Sequence, residues 1–322
     1  MNLKVVIAYP GFGDIEIEKE ILSAAGLEIE HVGNLDTEEA RQAARQCDAL
    51  MVTIQPVRAE LIQSLERCRL ICRVGTGLDA IDIEAATERG IWVTYAPDYS
   101  IDEVSTHAIA LVLAQARGLP GLLGATRRGI WNSESGGILY RFSDQTLGVI
   151  GCGRIGQATA AKGRGLGLEV LVYDPYVDAA TMEALGAKLV DLETVLRKSD
   201  FISLHSPLTE ETRHLINAET LAMMKPTAYL VNAARGALVD EEALLSAVQS
   251  GQIAGAALDV LNVEPVAADH PFLKEERVLL TPHAGWYSEE SKIDVRVQGA
   301  EEVVRVLRGE RPRAPVIKVP SG

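Results

Sequence analysis

The stretch 147–174 constrains this chain more than any other. Leu147-Gly148-Val149-Ile150 is an apolar run of strand length, Gly151-Cys152-Gly153-Arg154-Ile155-Gly156 is a glycine-rich turn, and Val170-Leu171-Val172-Tyr173 is a second apolar run closed by Asp174. The pattern predicts strand, loop, helix and strand. Gly151 permits a tight turn, Gly153 lets backbone amides approach a pyrophosphate, and Gly156 lets the helix pack close to the preceding strand. Asp174 stands near the spacing at which a carboxylate accepts hydrogen bonds from ribose hydroxyls and repels a 2′-phosphate, which favours NAD over NADP. A glycine turn alone is a weak signal, since glycine also serves ordinary turns. The flanking strand, helix and acid make this one specific.

The chain has 322 residues, 47% of them hydrophobic, enough for two α/β domains. Its formal net charge of −14 comes from 45 acidic and 31 basic residues without any block of like charge, so neither nucleic acid nor an anionic membrane is expected as a partner. No run reaches the roughly 18 apolar residues of a membrane helix, and Met1–Ala8 lacks a cleavage signature, so a cytoplasmic location is expected. Cys47, Cys68, Cys72 and Cys152 lack paired CxxC spacing. They read as buried free thiols rather than a disulfide or zinc set, and no metal is expected.

Residues 1–98 alternate apolar runs of four to five residues (Lys4–Ala8, Glu28–Val32, Ala49–Val52, Leu70–Val74, Ile91–Thr94) with amphipathic stretches (Ile15–Ala25, Thr37–Gln46, Ala59–Glu66, Ile83–Arg89). That rhythm predicts a parallel sheet covered on both faces. The loop Gly75-Thr76-Gly77 follows a predicted strand, at the sheet end where α/β folds bind ligands. It reads either as a carboxylate-holding loop or as a plain turn, and Arg73 as either an anion partner or a surface residue. Ile101–Arg117 predicts one long helix in which His107 is a packed or capping residue rather than a ligand. The glycine-, arginine- and serine-rich segment Gly118–Asp144, with Trp131 and Tyr140, reads as an arm that packs on a partner subunit.

Beyond Asp174 the βαβ rhythm continues through strands at Lys188–Val190, Phe201–Leu204, Tyr229–Asn232, Gly255–Val260 and Val278–Leu280. Arg235, Glu264 and His283 follow three of these strands. Together they suit hydride transfer to a 2-keto acid: a cation for the carboxylate and carbonyl, an imidazole as proton donor, and a carboxylate that stabilises the imidazolium.

Gly151–Gly156 with Asp174, Leu204-His205-Ser206-Pro207-Leu208-Thr209, Asn232-Ala233-Ala234-Arg235-Gly236, Ala257-Leu258-Asp259-Val260, Val263-Glu264-Pro265 and Thr281-Pro282-His283-Ala284-Gly285-Trp286 together resemble the D-isomer-specific 2-hydroxyacid dehydrogenases. The resemblance covers essentially the whole chain. It implies an α/β architecture of two Rossmann-like domains: a flavodoxin-like substrate domain, residues 1–98 plus 288–322, and a doubly wound NAD-binding domain, residues 99–287. No regulatory domain is expected after the short stretch beyond Trp286.

Carried over by motif, Arg235 would bind the substrate carboxylate or carbonyl, His283 would be the general acid/base, and Glu264 its partner. Gly75, Thr76 and Gly77 would supply amides to the carboxylate, with Thr76 a cofactor contact as well. Gly151, Gly153, Arg154, Ile155 and Gly156 would meet the pyrophosphate and Asp174 the ribose. Ser206, Pro207 and Thr212 would lie along the adenosine, and Ala233, Asp259 and Gly285 toward the nicotinamide, which Arg235 and His283 would also touch.

The runs Arg73–Gly77 and His283–Ser288 most resemble the C-terminal binding proteins and their bacterial relatives, which gives Arg73 a share of the carboxylate and Trp286 a role in specificity. Ala80 replaces a common asparagine and Cys152 a usual leucine. The resemblance implies a homodimer that uses NAD on hydroxypyruvate, glyoxylate or pyruvate, with Tyr9, Tyr95 and Tyr99 as further specificity residues. An NADH-sensing co-repressor-like protein and a phosphite- or phosphonate-type dehydrogenase are the alternative readings on this fold.

Overall fold

The computed structural model describes residues 3–9 and 12–316. The outermost residues of the expected first segment, Met1 and Asn2, and the final stretch 317–322 lie outside the described residues. The chain runs β1 (Lys4–Ala8), α1 (Glu16–Ala24), β2 (Glu28–His31), α2 (Glu38–Arg45), β3 (Ala49–Val52), α3 (Ala59–Ser64), β4 (Leu70–Arg73), α4 (Ile83–Glu88), β5 (Trp92–Tyr95), α5 (Ile101–Ala116) and α6 (Leu119–Arg127). It continues through β6 (Thr146–Ile150), α7 (Arg154–Gly165), β7 (Glu169–Tyr173), α8 (Ala179–Leu185), β8 (Lys188–Leu189), α9 (Leu192–Lys198), β9 (Phe201–Leu204) and α10 (Ala218–Leu221). The last elements are β10 (Tyr229–Asn232), α11 (Glu241–Gln249), β11 (Gly255–Leu258), β12 (Val278–Leu280) and α12 (Glu289–Leu307). Two compact units result, residues 1–100 with 288–322, and residues 101–287.

The first unit is built on a parallel five-stranded sheet of order β2-β1-β3-β4-β5, the flavodoxin-like 2-1-3-4-5 arrangement. Its central strands are apolar without alternation because both faces are covered, with β3 buried at every position, whereas the edge strand β2 (Glu28-Ile29-Glu30-His31) has no fully buried residue. Thr37 and Asp82 cap α2 and α4 by accepting from Ala40 N and Ala85 N. The helix α12 docks here through a buried ion pair. Arg296 gives Nε to Glu18 Oε1 at 2.8 Å and Nη2 to Glu18 Oε2 at 2.7 Å, and reaches Asp14 Oδ1 at 2.8 Å. Tyr9 donates its hydroxyl to Glu18 Oε1 at 2.7 Å and is only 1% exposed. Its phenol is therefore turned into the core and cannot face a substrate, which corrects the specificity role expected for Tyr9.

The second unit carries a seven-stranded parallel sheet of order β12-β11-β10-β9-β6-β7-β8. Counted from β6 this is 3-2-1-4-5-6-7, the doubly wound order with its switch point between β6 and β9. Helix α7 lies close on β6 because Gly163 has no side chain: a Cβ there would meet Leu147 Cδ2 at 2.6 Å. On α5, Val104, Ala108, Leu111, Val112 and Gln115 are buried, and Gln115 Nε2 donates to Ala256 O at 2.8 Å, tying the helix to β11.

The first third of the expected arm 118–144 is a helix, α6, that the sequence reading did not mark. Gly118, Gly121 and Gly124 lower helix propensity and mask the helix in sequence. The structure gives two of them a packing reason: a Cβ on Gly118 or Gly121 would collide with the backbone at Ser135–Gly136. All four cysteines are buried and free. Among the described residues no single helix is long and apolar enough to cross a membrane, and no group of His, Cys, Asp and Glu is arranged to hold a metal.

Candidate active site

At the switch point, Gly151 sits at φ +88°, and a Cβ there would strike the backbone of His205 and Ser206. Gly156 is equally confined, since a Cβ there would strike Gly151 O. Both glycines are required by the fold. Gly153 is not, since its φ of −68° suits any residue and a Cβ would meet nothing within 4 Å. The open approach leads to the amino end of α7, where first-turn amides lack helical partners and the helix dipole favours an anion. Asp174 closes the loop by accepting from Cys152 N at 2.7 Å and Tyr176 N at 2.8 Å, which fixes its carboxylate at the end of β7. Across the switch point Thr212 Oγ1 donates to Pro207 O at 2.7 Å, shaping the loop that carries Ser206 and Pro207.

Three neighbouring strands deliver the charged trio. After β10, Asn232 is 1% exposed and its side chain bridges the turn, accepting from Ala234 N at 3.0 Å and donating to Arg235 O at 2.8 Å. Arg235 is partly buried and gives Nη1 to Ala234 O at 2.6 Å. Gly236 seats this turn directly on the Leu261–Asn262 backbone, leaving no room for a Cβ. That backbone leads to Glu264, whose Oε1 accepts from Leu261 N at 2.9 Å. His283 Nδ1 lies 2.6 Å from Glu264 Oε2, so the donating tautomer leaves Nε2 as the outward nitrogen. Nε2 has no protein partner among the described residues. Burial pushes the Glu264 carboxyl up, but hydrogen bonds from His283 and Leu261 N outweigh it and hold it below the ordinary value.

Asp259, at the end of β11, organises the turn that carries His283. It is 3% exposed, accepts from Thr281 Oγ1 at 2.6 Å, Ala284 N at 2.9 Å and Gly285 N at 2.8 Å, and gives its backbone carbonyl to His283 N at 2.8 Å. Its carboxylate thus braces the neighbouring turn 281–285. Burial raises its pKa, but these donors together with His107 bring the group below the ordinary carboxylate range. His107 lies in α5 with Nε2 3.0 Å from Thr281 Oγ1, a packed histidine as its helical setting suggests.

In the first unit, Gly75 has φ +147° and the Arg73 guanidinium folds over it. Arg73 donates Nε to Gly77 O at 2.9 Å and Nη1 to Val74 O at 2.6 Å, and Thr76 gives its hydroxyl to Ala96 O at 3.1 Å. These bonds brace the loop. The amides of Thr76 and Gly77 have no protein partner among the described residues, an arrangement able to receive a carboxylate.

Residues 109–285 match the family model of the D-isomer specific 2-hydroxyacid dehydrogenase, NAD binding domain. The chain belongs to the D-isomer-specific 2-hydroxyacid dehydrogenase family. Over 275 residues it is 40% identical to a glyoxylate reductase of Korarchaeum cryptofilum, covering 84% of this chain and 83% of that protein. It is 41% identical over 295 residues to a D-3-phosphoglycerate dehydrogenase of Methanocaldococcus jannaschii, covering 90% of this chain and 55% of that protein. The chain therefore spans little more than half the length of that relative. The crystal structure of a D-lactate dehydrogenase from Aquifex aeolicus, complexed with NAD and lactic acid, superposes with a TM-score of 0.87 at 29% identity, covering 95% of this chain and 96% of that one.

NAD is the cofactor of this family's domain, and the loop of the present family member fits it: Gly153 keeps open the approach that a side chain would obstruct, and Asp174 is held at the end of β7. The dehydrogenase fold also shows two residues to which sequence reading gave no role in the site. Asn232 fixes the Arg235 turn, and Thr281 links Asp259 to His107. Asn232 sits at the end of its strand within Asn-Ala-Ala-Arg-Gly, where a buried amide before a charged turn is a readable signal. Thr281 offers none, because its partners are distant in sequence.

Proposed function

We propose that the chain catalyses reversible hydride transfer between NADH and a small 2-keto acid, giving the D-2-hydroxy acid. The observation that carries this reading is the 2.6 Å His283–Glu264 pair, with the loop that leads to Glu264 packed against the turn bearing Arg235. NADH, when bound, supplies the hydride to the keto carbon. Arg235 holds the carboxylate and polarises the carbonyl, and His283 delivers the Nε2 proton to the oxygen as it gains charge. Glu264 keeps the imidazolium paired until the proton leaves. In oxidation the same nitrogen accepts the proton. Gly151, Gly153, Arg154, Ile155 and Gly156 are assigned to the pyrophosphate, Asp174 to the ribose, Ser206, Pro207 and Thr212 to the adenosine, and Ala233, Asp259 and Gly285 to the nicotinamide. Arg73, Gly75, Thr76 and Gly77 are assigned to the carboxylate, and Trp286 to specificity.

The substrate is proposed to be of the glyoxylate, hydroxypyruvate or pyruvate type. Wild-type protein assayed with NADH and these acids, and with NAD and D-lactate or D-3-phosphoglycerate, decides the class. One substrate is expected to stand out, and His283→Ala to abolish nearly all turnover while NADH still binds. Tight NADH binding with no turnover on any acid would instead point to a sensor. The exposed apolar side chains of 119–140, including Trp131 at 92% and Ile138 at 81% exposure, are proposed to bury against a second copy of the chain.

A further inference from the structure

The turn 281–285 holds His283 at φ +53°, a left-handed conformation that a non-glycine residue adopts at a cost of about 1 kcal/mol. Such a conformation persists only where its surroundings enforce it. Enforcement here converges on Asp259, whose backbone carbonyl and carboxylate take the amides of His283, Ala284 and Gly285. The carboxylate is itself oriented by the Thr281 hydroxyl at 2.6 Å.

A hydroxyl has one proton, and Thr281 has given it to Asp259. The contact at 3.0 Å between His107 Nε2 and Thr281 Oγ1 is therefore a donation from the imidazole. The same nitrogen lies 3.3 Å from Asp259 Oδ1. The ring also backs the turn sterically: a Cβ on Gly285 would come 3.3 Å from His107 Cδ2. Asp102, five residues before His107 on α5, is paired to Lys162 of α7 at 2.6 Å. Asp259, His107 and Thr281 form a small closed network behind the turn.

We infer that His107 is a positioning residue for His283, acting through Thr281 and Asp259 to hold the turn that presents the imidazole. The inference rests on the dehydrogenase reading above. Without the Nε2–H donor, the oxygen of Thr281 loses its partner, Asp259 loses one donor, and the turn can relax toward ordinary backbone angles. A displacement of about 1 Å at a reacting group costs on the order of 100-fold in rate.

His107→Leu keeps apolar bulk without the donor, and His107→Gln restores an N–H at similar reach. With the best substrate from the screen, His107→Leu is expected to lower kcat roughly 10- to 100-fold, while the Kd for NADH and the KM for substrate change by less than about threefold. His107→Gln is expected to recover most of the loss. Hydrogen exchange of the His283, Ala284 and Gly285 amides gives a readout independent of turnover: faster exchange in the Leu variant, near wild type in the Gln variant. Wild-type kcat and unchanged exchange in the Leu variant would overturn the inference, as would equal losses in both variants tracking a common fall in Tm. A silent wild type would sink the dehydrogenase reading alone, because the exchange comparison still decides whether His107 holds the turn.

Discussion

His205 shows how one side chain can set a pH limit on the fold. It follows β9, with Nε2 2.9 Å from Ser203 Oγ, and burial of its ring lowers its pKa from 6.5 to about 4 although the residue as a whole is partly exposed. The unfolded chain takes this proton near pH 6.5 and the folded chain only near pH 4. Between those values acid favours unfolding, and stability is fully present only above the unfolded value. From pH 7 to pH 5 this residue is expected to remove about 1–2 kcal/mol, read as a smaller urea dependence on pH in His205→Asn than in wild type. Parallel losses in the two proteins would show that another group is responsible. At the proposed catalytic pair, Glu264→Gln would remove the charge that steadies the imidazolium, and kcat is expected to fall about 100-fold with NADH affinity retained. Near-normal turnover would take Glu264 out of the mechanism.

At the scale of elements, α12 is the piece most exposed to a single change. Arg296 is 4% exposed and satisfies both oxygens of Glu18, which is fully buried. Arg296→Met leaves Glu18 with the Tyr9 hydroxyl, and an unpaired buried carboxylate costs about 3–5 kcal/mol. Chemical denaturation followed at Tyr and Trp should register that loss, and a change under about 1 kcal/mol would mean that the pair is dispensable. The strands and most helices were legible in the sequence because buried parallel strands are written as largely apolar runs, as at Ala49–Val52. Helix α6 was not, since Gly118 and Gly121 answer to the backbone they pack against rather than to local propensity. The trio after β10, β11 and β12 was legible from motif, whereas the Asp259–Thr281–His107 network depends on tertiary contacts that no local pattern announces.

At the scale of the whole molecule, two outcomes follow from features outside the trio. The arm 119–140 exposes Trp131 and Ile138, and a double change to Asp should convert a dimer into a monomer in sedimentation velocity. A wild-type protein that already sediments as a monomer would remove the arm's proposed role. Cofactor choice is proposed to rest on Asp174. Asp174→Ala should weaken NADH binding about tenfold and narrow the preference over NADPH, and a wild type that already favours NADPH would refute the assignment. Because Asp174 also holds Cys152 N and Tyr176 N, the variant should lose some stability as well.

Gly153 carries a consequence for evolution and for engineering. It occupies the N-cap of α7 with an ordinary backbone and open surroundings, so the fold has no stake in its being glycine. Serine is the better cap, and Gly153→Ser should raise the Tm by the equivalent of a few tenths of a kcal/mol, about 0.5. The added side chain would stand where the pyrophosphate is proposed to lie, so NADH affinity should drop in the same variant. Stability and cofactor affinity moving in opposite directions on one substitution would mark a position that selection for thermal robustness alone would rewrite, and that selection for redox chemistry keeps bare.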